Sequence, residues 1–211
     1  MKKLFYAIAV IVSVGGVACE LYLQHLSKQA HTTPAGVVFS EPGKEPEKYG
    51  TVPDFSLTNY DGKNVKLADL EGKVWLADFV YTTCPSSCPM ISSNFEGLQK
   101  DVLAIPGTHM VSFSVDPTHD TPEVLSSYAK RFQAMPGWYF LTGDLDQVSK
   151  IARDGFLVGF ASLPDGKQIT HSEKIALVDK KGNVRHFYDG VSSGDKPKIL
   201  ADIKALIQEA P

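Results

Sequence analysis

The run Val74-Trp75-Leu76-Ala77-Asp78-Phe79-Val80 limits most strongly what this chain can become, because an almost uninterrupted apolar heptad suits a strand covered on both faces. Directly after it come Tyr81-Thr82-Thr83-Cys84-Pro85-Ser86-Ser87-Cys88-Pro89, with two thiols four positions apart. Beyond Met90 the apolar residues Ile91, Phe95, Leu98 and Val102 recur at helical spacing, so the thiols lie where a central strand hands over to a helix. The partial positive charge and open N–H groups of a helix N-terminus stabilise a thiolate, which predicts a lowered cysteine pKa. Pro85 and Pro89 suit such a first turn better than a helix interior.

The rest of the chain alternates. Asp54-Phe55-Ser56-Leu57-Thr58 and Val65-Lys66-Leu67 flank turn chemistry at Asn59-Tyr60-Asp61-Gly62-Lys63 and predict a hairpin. Residues 110–115 read as a buried strand, and Thr121-Pro122-Glu123 opens a helix running to about Phe132. A strand at 138–141 and a short helix at 145–154 follow, then a strand or strained crossover at 156–160. A hairpin of 174–179 with 184–188 turns about Lys180-Lys181-Gly182-Asn183, and an amphipathic helix over 199–208 closes the chain. This order predicts an α/β fold: a central mixed sheet, mainly parallel in its middle, flanked by helices and carrying an N-terminal β-hairpin extension. Ligands of open α/β sheets gather outside the C-terminal strand ends, where the cysteine loop falls.

Ahead of this domain, Lys2-Lys3 precede an apolar run over 4–19 that ends at Glu20. The run is short against the roughly 20 residues a spanning helix needs. Gly15-Gly16-Val17-Ala18-Cys19 resembles a bacterial lipoprotein box, with Cys19 lipidated; an uncleaved signal anchor is the alternative. Either reading expects residues 1–24 to be a signal, lipoprotein or membrane-anchor segment, 25–50 a flexible linker, and 51–211 the folded domain. It places that domain in the bacterial cell envelope, on the periplasmic or outer side of the membrane. With a net charge of −3 and no long basic run beyond the first residues, nucleic acid is an unsuitable partner.

Cys19 aside, Cys84 and Cys88 are the only thiols, in a compartment where disulfides persist. A four-residue spacing closes too short a loop to staple a fold effectively. Two chemistries stay open: a reactive disulfide pair, or soft ligands converging on a metal. His171, in Gly166-Lys167-Gln168-Ile169-Thr170-His171-Ser172, is either an ordinary loop histidine or a third donor. Two thiolates and an imidazole suit copper, whereas a structural zinc site takes a fourth protein ligand. Asp78 in its apolar strand must pair, reach solvent, or shape the electrostatics beneath the thiols. Asp116 is a strand-end carboxylate suited to an outer-shell or docking role, and Asp120 or Thr121 to turn and capping chemistry. His109 reads as a strand cap; His119 and His186 read as surface groups.

Three segments in order carry a resemblance: Asp78-Phe79-Val80-Tyr81-Thr82-Thr83-Cys84-Pro85-Ser86-Ser87-Cys88-Pro89, then Ser114-Val115-Asp116-Pro117-Thr118-His119-Asp120-Thr121-Pro122-Glu123, then His171-Ser172 before a strand. Over roughly residues 52–206 the chain resembles the Sco/SenC family of copper-binding, thioredoxin-like proteins. The resemblance implies a thioredoxin-like fold, membrane attachment, and copper, as Cu(I) or Cu(II), held by Cys84, Cys88 and His171. It also implies a role in delivering copper to the dinuclear copper site of cytochrome c oxidase, or in keeping that site's cysteines reduced. The copper-site subunit of the oxidase would be the partner, with other copper chaperones or thiol reductants upstream. Cys19 stands where many relatives have a clear transmembrane span. A metallochaperone and a thiol–disulfide oxidoreductase with Cys84 and Cys88 as its redox pair are the two functional expectations; a peroxiredoxin-like peroxidase ranks third.

Overall fold

The computed structural model describes residues 48–85, 87–159, 161–162, 169–170 and 172–209. Its spine is β4 (Val74–Val80), every residue of which is buried. On one side β4 pairs in parallel with β5 (Thr108–Ser114), from Val74 opposite Thr108 to Val80 opposite Ser114, and on the other it pairs antiparallel with β9 (Lys174–Val178). Outside β5 lies β6 (Trp138–Thr142), also parallel, followed by the antiparallel hairpin of β2 (Ser56–Asn59) and β3 (Asn64–Lys66). Outside β9 lie β10 (Asn183–Asp189) and β1 (Gly50–Thr51). The eight-stranded order is β1-β10-β9-β4-β5-β6-β2-β3, and β7 (Ala161–Ser162) with β8 (Ile169–Thr170) forms a separate two-stranded ladder.

Strand alternation divides the core into two clusters. From β4, Val74 and Leu76 face the helices α2 (Ser87–Leu103), α3 (Pro122–Arg131) and α5 (Lys196–Gln208), which bury Ile91, Phe95, Leu98, Val102, Leu125, Ile199 and Ile203 there. Trp75, Ala77 and Phe79 face the opposite cluster, built from the hairpin and from Val148, Ile151 and Phe156. Phe79 stacks on Phe113, and Phe156 meets Trp75, Phe79 and Phe113. Helix starts follow local chemistry. Thr121 caps α3 by accepting from the Val124 N–H, with Pro122 in the first turn, and Asp144 caps α4 (Leu145–Lys150) by accepting from Gln147.

Two segments depart from the sequence reading, and a third takes one of its two expected forms. The strand expected to include Leu67 ends at Lys66, because the Asp69 carboxylate accepts the Lys66 N–H and starts the single-turn α1 (Leu67–Leu70). The helix expected over 145–154 stays α-helical only to Lys150 and widens into a π-helical turn, Ile151–Gly155. After it no strand forms through residue 159; Leu157 takes a left-handed φ of 54°, so the strained crossover is the form observed. Gly50 in β1 runs so close to this turn that a Cβ there would stand 2.2 Å from the Gly155 carbonyl oxygen. Tyr49 packs edge-on against Phe187, which brings residues ahead of Thr51 into the folded unit. No helix among the described residues is long and apolar enough to cross a membrane.

Candidate metal and redox centre

The cysteine loop emerges at the C-terminal end of β4, beside the equivalent end of β5. After Val80 the chain turns through Tyr81 to Cys84, and the Cys84 N–H donates to the Tyr81 carbonyl at 3.2 Å. Cys88 lies in the first turn of α2. The two thiols are not joined in a disulfide. They are close enough for a hydrogen bond between their side chains, with Cys84 8% exposed and Cys88 fully buried.

Burial changes the expected acidity. The Cys88 thiol is pushed well above its ordinary range, first by desolvation, with the Cys84 side chain and the Asp78 carboxylate pushing the same way; a backbone hydrogen bond from Tyr81 pulls it back only in part. A helix N-terminus stabilises a thiolate by a modest amount, and full burial of the sulfur outweighs it here. Cys88 is therefore a proton-holding thiol until a cation or a disulfide replaces the proton.

Asp78 sits between the flanking layers, 1% exposed, on the strand face shared by Leu76 and the helix layer. Ser112 lies opposite it in the β4–β5 register, and its hydroxyl already accepts the Trp138 Nε1–H at 3.0 Å. Neither Asp78 carboxylate oxygen finds an acceptable hydrogen-bond partner among the described residues. Desolvation raises its pKa to about 7, against a weak lowering pull from Ser112. Burial rules out solvent access, and the Asp78 charge adds to the raising of the Cys88 pKa. Nearby, Tyr128 and Ser92 share a hydrogen bond of 2.9 Å, and the buried Tyr128 hydroxyl is raised in pKa by desolvation.

Asp116 is half-buried in the loop after β5, where its carbonyl accepts from the His119 and Asp120 N–H groups and its own N–H donates to Ser114 Oγ. Asp120 is the residue that sequence reasoning undervalued: it is fully buried, and it ties the β5 loop to the cysteine loop through Thr82 and Ser114. A turn-rich segment gave no signal separating its carboxylate from an ordinary cap. His171 lies outside the described residues, as does Ser86. Among the described residues no group of three or more His, Cys, Asp or Glu is arranged to hold a metal ion. Of the other histidines, His119 is exposed, His186 contacts the Lys198 ammonium at 2.9 Å, and His109 lies within β5 rather than capping it, half-buried against Tyr139, with burial lowering its pKa.

The donor set fits a soft cation: two sulfurs not joined in a disulfide share one strand-to-helix junction, both buried, with Cys84 the less completely covered. Comparison with known proteins agrees with this architecture. The sequence model of the SCO1/SenC family matches residues 43–208. The chain is 36% identical over 166 residues to a SCO1 protein homolog of Bacillus subtilis (strain 168), covering 77% of this chain and 85% of that one. Among solved structures it is similar to BsSco, described as a member of the Sco family of cytochrome c oxidase assembly proteins with a disulfide switch; identity is 34%, the TM-score 0.71, and coverage 81% of this chain and 100% of that one. Bradyrhizobium japonicum ScoI, solved with copper bound, is 29% identical with a TM-score of 0.61, over 74% of this chain and 99% of that one. The mixed sheet with flanking helices is accordingly the thioredoxin-like fold of these proteins, and the chain belongs to the SCO1/SenC family.

Proposed function

We propose that this chain is a membrane-tethered copper metallochaperone that holds copper through Cys84, Cys88 and His171 and supports assembly of the dinuclear copper site of cytochrome c oxidase. The observation that carries the reading is the pair of unlinked thiols at the strand-to-helix junction, in hydrogen-bond contact with each other. Thiolates select Cu(I), and an imidazole is compatible with either copper oxidation state. The copper-bound ScoI and the oxidase-assembly role stated for BsSco support the cargo and its destination. His171 enters from its sequence position alone. Release is ligand exchange: thiols of the acceptor replace Cys84 and Cys88 one at a time, beginning at the more exposed Cys84. The segment 1–24 is the anchor and the stretch from 25 to about 47 the tether; the working domain takes in Tyr49 and β1 and is held on the outer side of a bacterial envelope membrane.

A second reading, thiol–disulfide oxidoreductase, is favoured by the same contact between the sulfurs and by the disulfide switch described for BsSco. Cys84 as thiolate would attack a partner disulfide, and Cys88 would resolve the mixed disulfide. The partner gains the two electrons and two protons that the pair loses. One experiment separates the readings. The reduced full-length chain is titrated with Cu(I) against a coloured chelator, and its exchange with a small disulfide is timed in parallel. His171→Ala is expected to weaken copper binding by more than about a hundredfold, removal of a donor exceeding the roughly 10- to 100-fold reach of outer-shell changes, while exchange stays near wild type. Unchanged copper affinity in that variant would overturn the ligand assignment.

A further inference from the structure

Asp120 reaches the thiols through one intermediary. Its Oδ1 accepts from Thr82 Oγ1 at 2.5 Å and from the Thr82 N–H at 3.3 Å; its Oδ2 accepts from the same N–H at 3.2 Å and from Ser114 Oγ at 2.7 Å. Thr82 is bonded along the chain to Tyr81, the residue that touches both cysteines: its carbonyl takes the Cys84 N–H, and its backbone hydrogen-bonds the Cys88 sulfur. A carboxylate is the group this position calls for. Three donors converge on it, and an ionised carboxylate is acceptor-only, whereas an Asn amide would turn one donor toward them.

The geometry points to Asp120 as the positioning residue of the Cys84–Cys88 pair, clamping the Tyr81–Cys84 turn so that the two sulfurs stay within reach of each other. This rests on those two cysteines being the working pair and holds whether their product is a disulfide or a copper complex. Both products require one sulfur to find the other at high effective concentration. Loosening the clamp weakens both together.

The test uses the full-length chain as wild type, Asp120→Asn, Thr82→Val and the double variant. Each is equilibrated with mixtures of reduced and oxidised dithiothreitol, in which the reagent takes up the two electrons and two protons released when the pair forms its disulfide. Each reduced protein is also titrated with Cu(I) against a chelator. Asp120→Asn is expected to destabilise the disulfide about tenfold, a potential about 30 mV less negative, and to weaken Cu(I) binding by a similar factor. Thr82→Val shifts both the same way by less, and the double variant matches Asp120→Asn because the two residues act through one contact. Gln99→Ala is the control. It removes half-buried hydrogen bonds to Gln133 and Met135 and is expected to lower Tm while leaving the potential unchanged. Potentials and affinities within twofold of wild type in both clamp variants, with only Tm lowered, would overturn the assignment and reduce Asp120 to a fold staple. If Asp120→Asn does not fold, Thr82→Val decides. If the wild type binds no Cu(I), the copper reading fails and the potentials still decide the role of Asp120.

Discussion

Asp78, inside β4, and Asp120, in the loop after β5, are both buried carboxyl residues near the cysteine loop, yet their surroundings treat them in opposite ways. Around Asp120, Thr82 and Ser114 supply three donor groups and four short contacts. Around Asp78 the Ser112 hydroxyl, opposite in the register, lowers the carboxyl pKa by less than burial raises it, and neither oxygen has a partner at ordinary hydrogen-bond distance and angle among the described residues. Burying a carboxylate costs several kcal/mol unless donors offset it. Asp120 meets that condition and serves as a clamp between two loops. Asp78 does not, and desolvation keeps its proton on to about pH 7. One region uses converging donors on a carboxylate to hold backbone in place; the other keeps a carboxyl protonated through the acid range close to the Cys88 thiol.

The sharpest way to break this contrast is through pH. The pKa of Asp78 is raised from 3.8 to about 7 on folding, so the folded chain holds a proton that the unfolded chain has given up between those values. Its contribution to stability is complete below about pH 4 and is lost as pH rises to about 7. At about 1.4 kcal/mol per pKa unit the loss is on the order of 4 kcal/mol. Urea unfolding of wild type and Asp78→Asn from pH 4 to 8 is expected to show the variant losing that much less stability across the window. Parallel curves would mean that the carboxylate finds a donor after all.

Asp120→Ala comes next, with an expected loss of about 3 kcal/mol, since it strands the Thr82 N–H and two hydroxyls. The loss is read from denaturant midpoints at pH 7. A loss under 1 kcal/mol would place Asp120 in the same class as Asp78. Ser114→Ala has the smallest effect, about 1 kcal/mol, because it removes one of three donor groups and leaves Thr82 to hold the carboxylate. A loss equal to that of Asp120→Ala would make Ser114, rather than Thr82, the centre of the clamp.

Regular periodicity made most of the architecture readable. The seven-residue apolar run became β4, the spacing of Ile91, Phe95, Leu98 and Val102 became the buried face of α2, and Thr121-Pro122 opened α3. The misread places are those where a local contact overrides a pattern: Asp69 ending β3 early, and the π-helical turn after Lys150, which seats Phe156 among Trp75, Phe79 and Phe113. The cysteine pair was legible because its spacing has few structural uses. Its acidity was not, because helix position is written in the sequence whereas the burial of Cys88 comes from the packing of elements far apart in the chain. Asp120 escaped for the same reason. Its partner Thr82 is 38 residues away, and nothing periodic links them.

The sheet ends in β1, two residues long, and β3, three residues long with Lys66 at its end. Such short edges give another polypeptide almost no row of open N–H and C=O groups on which to add a strand. On the function proposed above, an acceptor that takes cargo or electrons from Cys84 would grip loops and side chains rather than add a strand. Substitutions around the mouth of β4 would then weaken the complex more than prolines placed in β1 or β3.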